Sequence, residues 1–85
     1  MAESFDGDWL ALREPFDAAS RSVALARALG AVLPARARLI DLGAGTGSLF
    51  RWLAPILDRP QDWTLADADA ALLERAFADA LARLA

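Results

Sequence analysis

The stretch "RLIDLGAGTGSLF", Arg38 to Phe50, decides the fold. Leu39, Ile40 and Leu42 make a short, nearly unbroken apolar run, too brief for a helix and expected of a parallel strand covered on both faces. Gly43, Gly45 and Gly47 follow directly, and "TGSLFRWLAPIL" then sets Leu49, Leu53, Ile56 and Leu57 at helical spacing. A strand, a glycine turn and a helix in that order open an α/β unit, where glycine admits positive φ or the close approach of a ligand. Pro55 is expected to end or kink the helix, because its ring displaces the carbonyl four residues back.

The flanks extend the same pattern. "WTLAD", Trp63 to Asp67, reads as a second short strand, and "DADAALLERAFADALARLA" as a closing helix with Asp69 at its N-cap. Its expected apolar stripe is Leu73, Phe77, Ala80, Leu81 and Leu84, with Asp79 and Arg83 as an i,i+4 pair. Upstream, Asp17 to about Val32 reads as one helix: Asp17 caps it, Ala18, Leu25, Ala26, Leu29, Val32 and Leu33 form its apolar side, and Pro34 stops it. Before it, residues 1–15 turn at Asp6-Gly7 into a short helical piece and read as a lid or packing arm. Two strands separated by a helix are parallel and joined by a right-handed crossover. The expected fold is therefore α/β, a partial Rossmann-like, doubly wound parallel sheet in the order α-β-α-β-α, with the arm at 1–15 and the unit at 16–85.

Length and composition narrow the function classes. Eighty-five residues hold one small domain, and 56% hydrophobic content with a quarter of the residues charged indicates a globular chain. The net charge is −3 and the nine basic residues, all arginine, are scattered, so no electrostatic footprint for nucleic acid or an anionic membrane is present. Without cysteine, histidine or lysine there is no thiol nucleophile, imidazole base, Schiff base or usual zinc-ligand set. No metal site and no catalytic side chain stands out. The acidic N-terminus lacks the positive and apolar regions of a signal peptide and no run reaches membrane-spanning length, so a cytoplasmic location is expected.

The glycine turn carries the chemistry. A P-loop needs a lysine after its second glycine and is excluded. A dinucleotide fingerprint needs glycine at the first, third and sixth positions, but the sixth from Gly43 is Ser48, which weakens the nicotinamide reading. Asp41, two residues ahead of the first glycine, suits a ligand that is positive near the loop, and Asp67 at the end of the second strand is where a ribose diol is gripped. These residues imply a nucleoside carrying a cationic arm.

"LIDLGAGTGSL" resembles motif I of the class I S-adenosylmethionine-dependent methyltransferases, and "WTLADADAALLERA" resembles the segment that follows it in that family. The resemblance implies S-adenosyl-L-methionine as cofactor, with Asp41 near the methionyl ammonium and Gly43, Ala44, Gly45 and Gly47 as the floor beneath it. It also implies Asp67 on the ribose hydroxyls and Ala68 beside adenine, while Asp69 serves as a helix cap. The segment "WLALREPFDAASRSVALARAL" is similar to the arm that precedes motif I in small bacterial members, where Arg13 or Arg21 would meet the cofactor carboxylate. Catalysis in the family is mostly placement of an already activated methyl donor.

The family's sheet continues for several further strands, which carry the acceptor pocket, so the methyl acceptor is not implied by these residues. A chain ending after two strands leaves the first strand's edge open and predicts either a fragment or self-association through that edge. Three functions follow: the cofactor-binding portion of a methyltransferase, a non-catalytic domain acting through its open sheet edge, or a fragment of a nicotinamide-dependent oxidoreductase. Trp9, Trp52 and Trp63 are expected in the core rather than at a substrate, and Arg13 and Arg21 in solvent.

Overall fold

The computed structural model describes residues 6–84 and contains, in chain order, α1 (Gly7–Ser20), α2 (Val23–Val32), β1 (Ala37–Leu42), α3 (Ser48–Leu57), β2 (Gln61–Ala66) and α4 (Ala70–Leu84). The first residues of the predicted arm, 1–5, lie outside the described residues. β1 and β2 pair in parallel from Ala37 opposite Gln61 to Leu42 opposite Ala66. That register brings the carboxyl ends of both strands, with Asp41 and Asp67, to one edge of an α/β unit. No described helix is long and apolar enough to cross a membrane.

The core follows from α3. Leu53 and Leu57 are four apart on one face and bury with Ala26 of α2, while Leu33, Leu39, Leu49, Trp52, Ile56 and Trp63 pack around them. Phe50 meets the Trp63 ring edge-on at 5.3 Å between centroids. Pro55 falls in the last turn of α3, and the helix ends at Leu57, where Asp58 adopts a left-handed conformation and its N–H bonds the Ala54 carbonyl.

Four expectations are corrected. The predicted helix from Asp17 to Val32 is two helices. α1 is capped by Asp6, passes through Pro15 and stops at Ser20; Arg21 and Ser22 are extended, and Ser22 accepts from the Leu25 N–H at 3.1 Å to start α2. Asp17 caps nothing there and instead pairs with Arg13 at 3.0 Å. Nor is β1 covered on both faces: Ala37 and Leu39 face the helices, but Ile40 and Leu42 are 70% and 80% exposed, because all the described helix packing onto the core lies on one side.

α4 likewise turns a different stripe inward. Leu72 and Ala76 are buried, whereas Phe77 and Leu81 are exposed, and the Leu84 side chain lies outside the described residues. The reason is the loop beneath the helix, since a Cβ at Gly47 would stand 3.4 Å from the Ala76 Cβ. At that point α4 presents its small Ala76. Finally, Trp52 and Trp63 join the core as expected, but Trp9 is about half exposed and lies under the Arg13 guanidinium, 5.0 Å from the ring centroid.

Candidate functional site

The β1–α3 turn is built by conformations that favour glycine. Gly43, Gly45 and Gly47 have φ of +72°, +56° and +89°, a region that side-chain-bearing residues rarely adopt. Two of them differ in surroundings. A Cβ at Gly43 would meet nothing within 4 Å, whereas one at Gly47 would press on Ala76, Arg51 and Leu65. Gly43 therefore opens onto space, and Gly47 is packed against the body of the protein.

The loop's own amides are largely committed. The N–H groups of Gly43 and Ala44 donate to the Ala66 carbonyl at 2.7 and 2.9 Å, and Gly47 donates to Ala44 at 3.0 Å. Gly45 donates to Asp67 Oδ2 at 2.8 Å, and Asp67 Oδ1 accepts from the Asp69 N–H at 2.8 Å. Asp67 thus ties the loop to the end of β2, and each of its oxygens keeps a second lone pair for a further donor. Asp69 accepts from the N–H groups of Ala71 and Leu72, which makes it the cap of α4, as its position predicts.

Above the loop lies a cleft of about 940 Å³, within the roughly 300–1,000 Å³ usual for small-molecule sites. Of the residues expected at a cofactor, Asp41, Gly43, Ala44, Gly45, Asp67 and Ala68 line it, and Gly47 does not. α1 supplies Leu10, Arg13 and Asp17 to the same wall, and Arg21 enters from the α1–α2 junction. Acids outnumber arginines four to two among the lining residues, which favours a ligand with positive charge.

Within this cleft Asp41 and Arg21 stand apart. Asp41 Oδ2 and Arg21 Nη1 are shielded from solvent and have no hydrogen-bond partner among the described residues. Arg21 Nη2 donates to Ser48 Oγ at 3.3 Å, and the guanidinium lies 5.6 Å from the Trp52 ring centroid. Burial raises the Asp41 carboxyl above the usual aspartate value, with the Arg21 charge pulling it down and the Asp67 carboxylate pushing it up. The two charges feel each other, yet no ion pair joins them among the described residues. Arg13, by contrast, is neutralised by Asp17. Of the two arginines expected near a ligand carboxylate, only Arg21 retains an uncommitted group facing inward, and it is not in solvent.

Sequence reasoning missed Leu10, Thr46 and Ser48 as parts of the site. Thr46 is buried within the loop, held by Arg51 of α3. Its place between two glycines was the available signal. Among the described residues no cluster of three acids could hold a metal ion.

No protein-family model matches the chain, and no solved structure matches it. Over 57 residues, 66% of this chain, it is 46% identical to the biotin biosynthesis bifunctional protein BioCD of Bordetella avium (strain 197N). The matched part is 12% of that protein's length. The similarity is to a small portion of a much longer protein.

Proposed function

We propose that the cleft binds the adenosyl cofactor S-adenosyl-L-methionine and that the chain is the cofactor-binding portion of a methyltransferase. The observation that carries this reading is the pair of shielded, unpartnered charges, Asp41 Oδ2 and Arg21 Nη1, lining one cleft. Leaving a buried polar group unpaired costs about 1–3 kcal/mol, more when it is charged. A ligand end carrying both an ammonium and a carboxylate offsets both costs at once, and the methionyl end of the cofactor is such a zwitterion. The similarity to a biotin-biosynthesis protein is compatible with this reading and does not by itself select a substrate.

The residues fit the rest of the ligand by the same reasoning. Asp41 would hold the ammonium and Arg21 the carboxylate. Asp67 would accept from the ribose hydroxyls through its free lone pairs while keeping the loop in place, and Ala68 would flank adenine. The open space over Gly43 leaves room for the chain between sugar and zwitterion. When bound, the cofactor supplies an activated methyl group on a sulfonium; the residues here bind and orient it, and none of them is assigned a role in transfer. The acceptor is left unassigned.

The nicotinamide alternative loses support from the same geometry. Pyrophosphate binding uses uncommitted loop amides and a site free of unpaired carboxylate, whereas Gly43, Ala44 and Gly45 donate inward and Asp41 stands beside them. A non-catalytic role by self-association is favoured by one observation, the apolar sheet face that Ile40 and Leu42 leave exposed on β1, beside an edge unpaired among the described residues. Light scattering decides it: self-association at working concentration supports that role, and a stable monomer removes its self-association form.

Isothermal titration tests the main reading. S-adenosylhomocysteine is expected to bind at least about tenfold more tightly than 5′-methylthioadenosine, which keeps the nucleoside but lacks the zwitterionic end. Equal affinity for the two, or no binding of either, contradicts it.

A further inference from the structure

α1 walls the cleft yet buries no residue of its own, and its Leu12 and Phe16 are exposed. Among the described residues, two ion pairs join it to the rest of the chain. Asp8 accepts from Arg75 of α4 at 2.8 Å, and Glu14 accepts from Arg51 of α3 with both oxygens, Oε2 from Nε at 2.9 Å. Leu10 adds an apolar touch beside Gly45.

Arg51 is the pivot of this arrangement. Its side chain is only 13% exposed, and besides Glu14 it donates from Nη1 to the Thr46 carbonyl and reaches Thr46 Oγ1 and Asp79 Oδ2, each at 3.4 Å. A guanidinium is a rigid planar fork, so its bonds to the arm on one edge and to the loop on another must be met in a single orientation. Thr46 lies between Gly45 and Gly47, whose amides hold the loop closed on β2 and on Ala44. The place of the arm and the direction of the Thr46 peptide are thus set by one group.

We infer that Arg51 is a positioning residue for the cleft and that Glu14 is the latch through which docking of α1 sets the shape of the glycine loop. The consequence for the ligand rests on the cofactor reading above: whatever binds between Leu10, Arg21 and the loop favours the latched arm, and releasing the arm weakens the ligand by the same factor.

Amide hydrogen exchange on the full 85-residue chain, without ligand, tests the latch independently of what the cleft binds. Glu14→Gln is expected to speed exchange in α1 and also at the Gly45 and Gly47 amides, by about tenfold, or about 1.4 kcal/mol of local opening. Asp8→Asn, which frees the other anchor of the arm without touching Arg51, is expected to speed α1 and leave the loop at its original rate. Loop amides unchanged in Glu14→Gln, or loosened equally by both variants, overturn the inference. With S-adenosylhomocysteine as probe, Glu14→Gln should bind about fivefold more weakly than Asp8→Asn; equal weakening also overturns it. A chain that binds no S-adenosylhomocysteine defeats the cofactor reading while the exchange comparison still decides the latch.

Discussion

The β1–α3–β2 unit with α2 and the arm α1 are held by different forces. The first is joined by a parallel ladder and by Leu53, Leu57 and Ala26 with their apolar neighbours; the second has no buried residue and is tied by Asp8–Arg75 and Glu14–Arg51. Apolar burial is neither screened by salt nor titrated, whereas ion pairs are screened and titrate. The chain therefore has a core beneath the cleft held by apolar packing and a wall that conditions can loosen.

Leu53→Ala should separate the two regions most forcefully. It removes the centre of the apolar cluster and is expected to cost about 2–5 kcal/mol, read as a lower denaturation midpoint for the whole chain. Only a local loss would show that α3 is not the shared core. Gly47→Ala comes next, since φ of +89° strains any side chain and Ala76 and Arg51 lie 3.4 Å from the new methyl. A loss of about 1–2 kcal/mol is expected, together with faster exchange at Thr46.

The arm answers to pH. The hydrogen bond from Arg51 holds the Glu14 carboxyl below the usual glutamate value, against its burial, with the Arg51 and Arg83 charges lowering it and Asp79 raising it. A depressed carboxyl contributes stability that is full above its unfolded value of about 4.3 and is lost as pH falls through the lowered folded value. The protection of α1 amides, taken relative to the intrinsic exchange rate at each pH, should therefore fall in acid before that of α3. The smallest effect belongs to Arg75→Ala, whose partner Asp8 is largely exposed; a change of at most about 0.5 kcal/mol is expected, and a larger one would mean the arm is anchored mainly there.

Much of this contrast was legible in the sequence. The apolar run 37–42, the three glycines and the α3 spacing are local signals, so β1, the turn and α3 emerge where they were expected. Asp69 as a cap is equally local. What escaped was set by neighbours distant in the chain. The upstream helix breaks at Arg21 and Ser22, where Arg21 comes beside Ser48, 27 residues on. The buried stripe of α4 follows the lack of room above Gly47, which no periodicity in α4 encodes. Arg51 looks ordinary in sequence, and its bond to Glu14 exists only after α1 folds back.

Asp41 offers the most direct measurement, because stability and binding should move in opposite directions. Its raised pKa means that the ionised form is disfavoured in the folded chain, so its stability cost appears as pH rises through the raised value and persists at neutral pH. Asp41→Asn should leave the melting temperature unchanged or higher at pH 7 while weakening S-adenosylhomocysteine at least about tenfold, or about 1.4 kcal/mol. A variant that melts lower and binds as tightly as before would make Asp41 a structural residue and contradict the account.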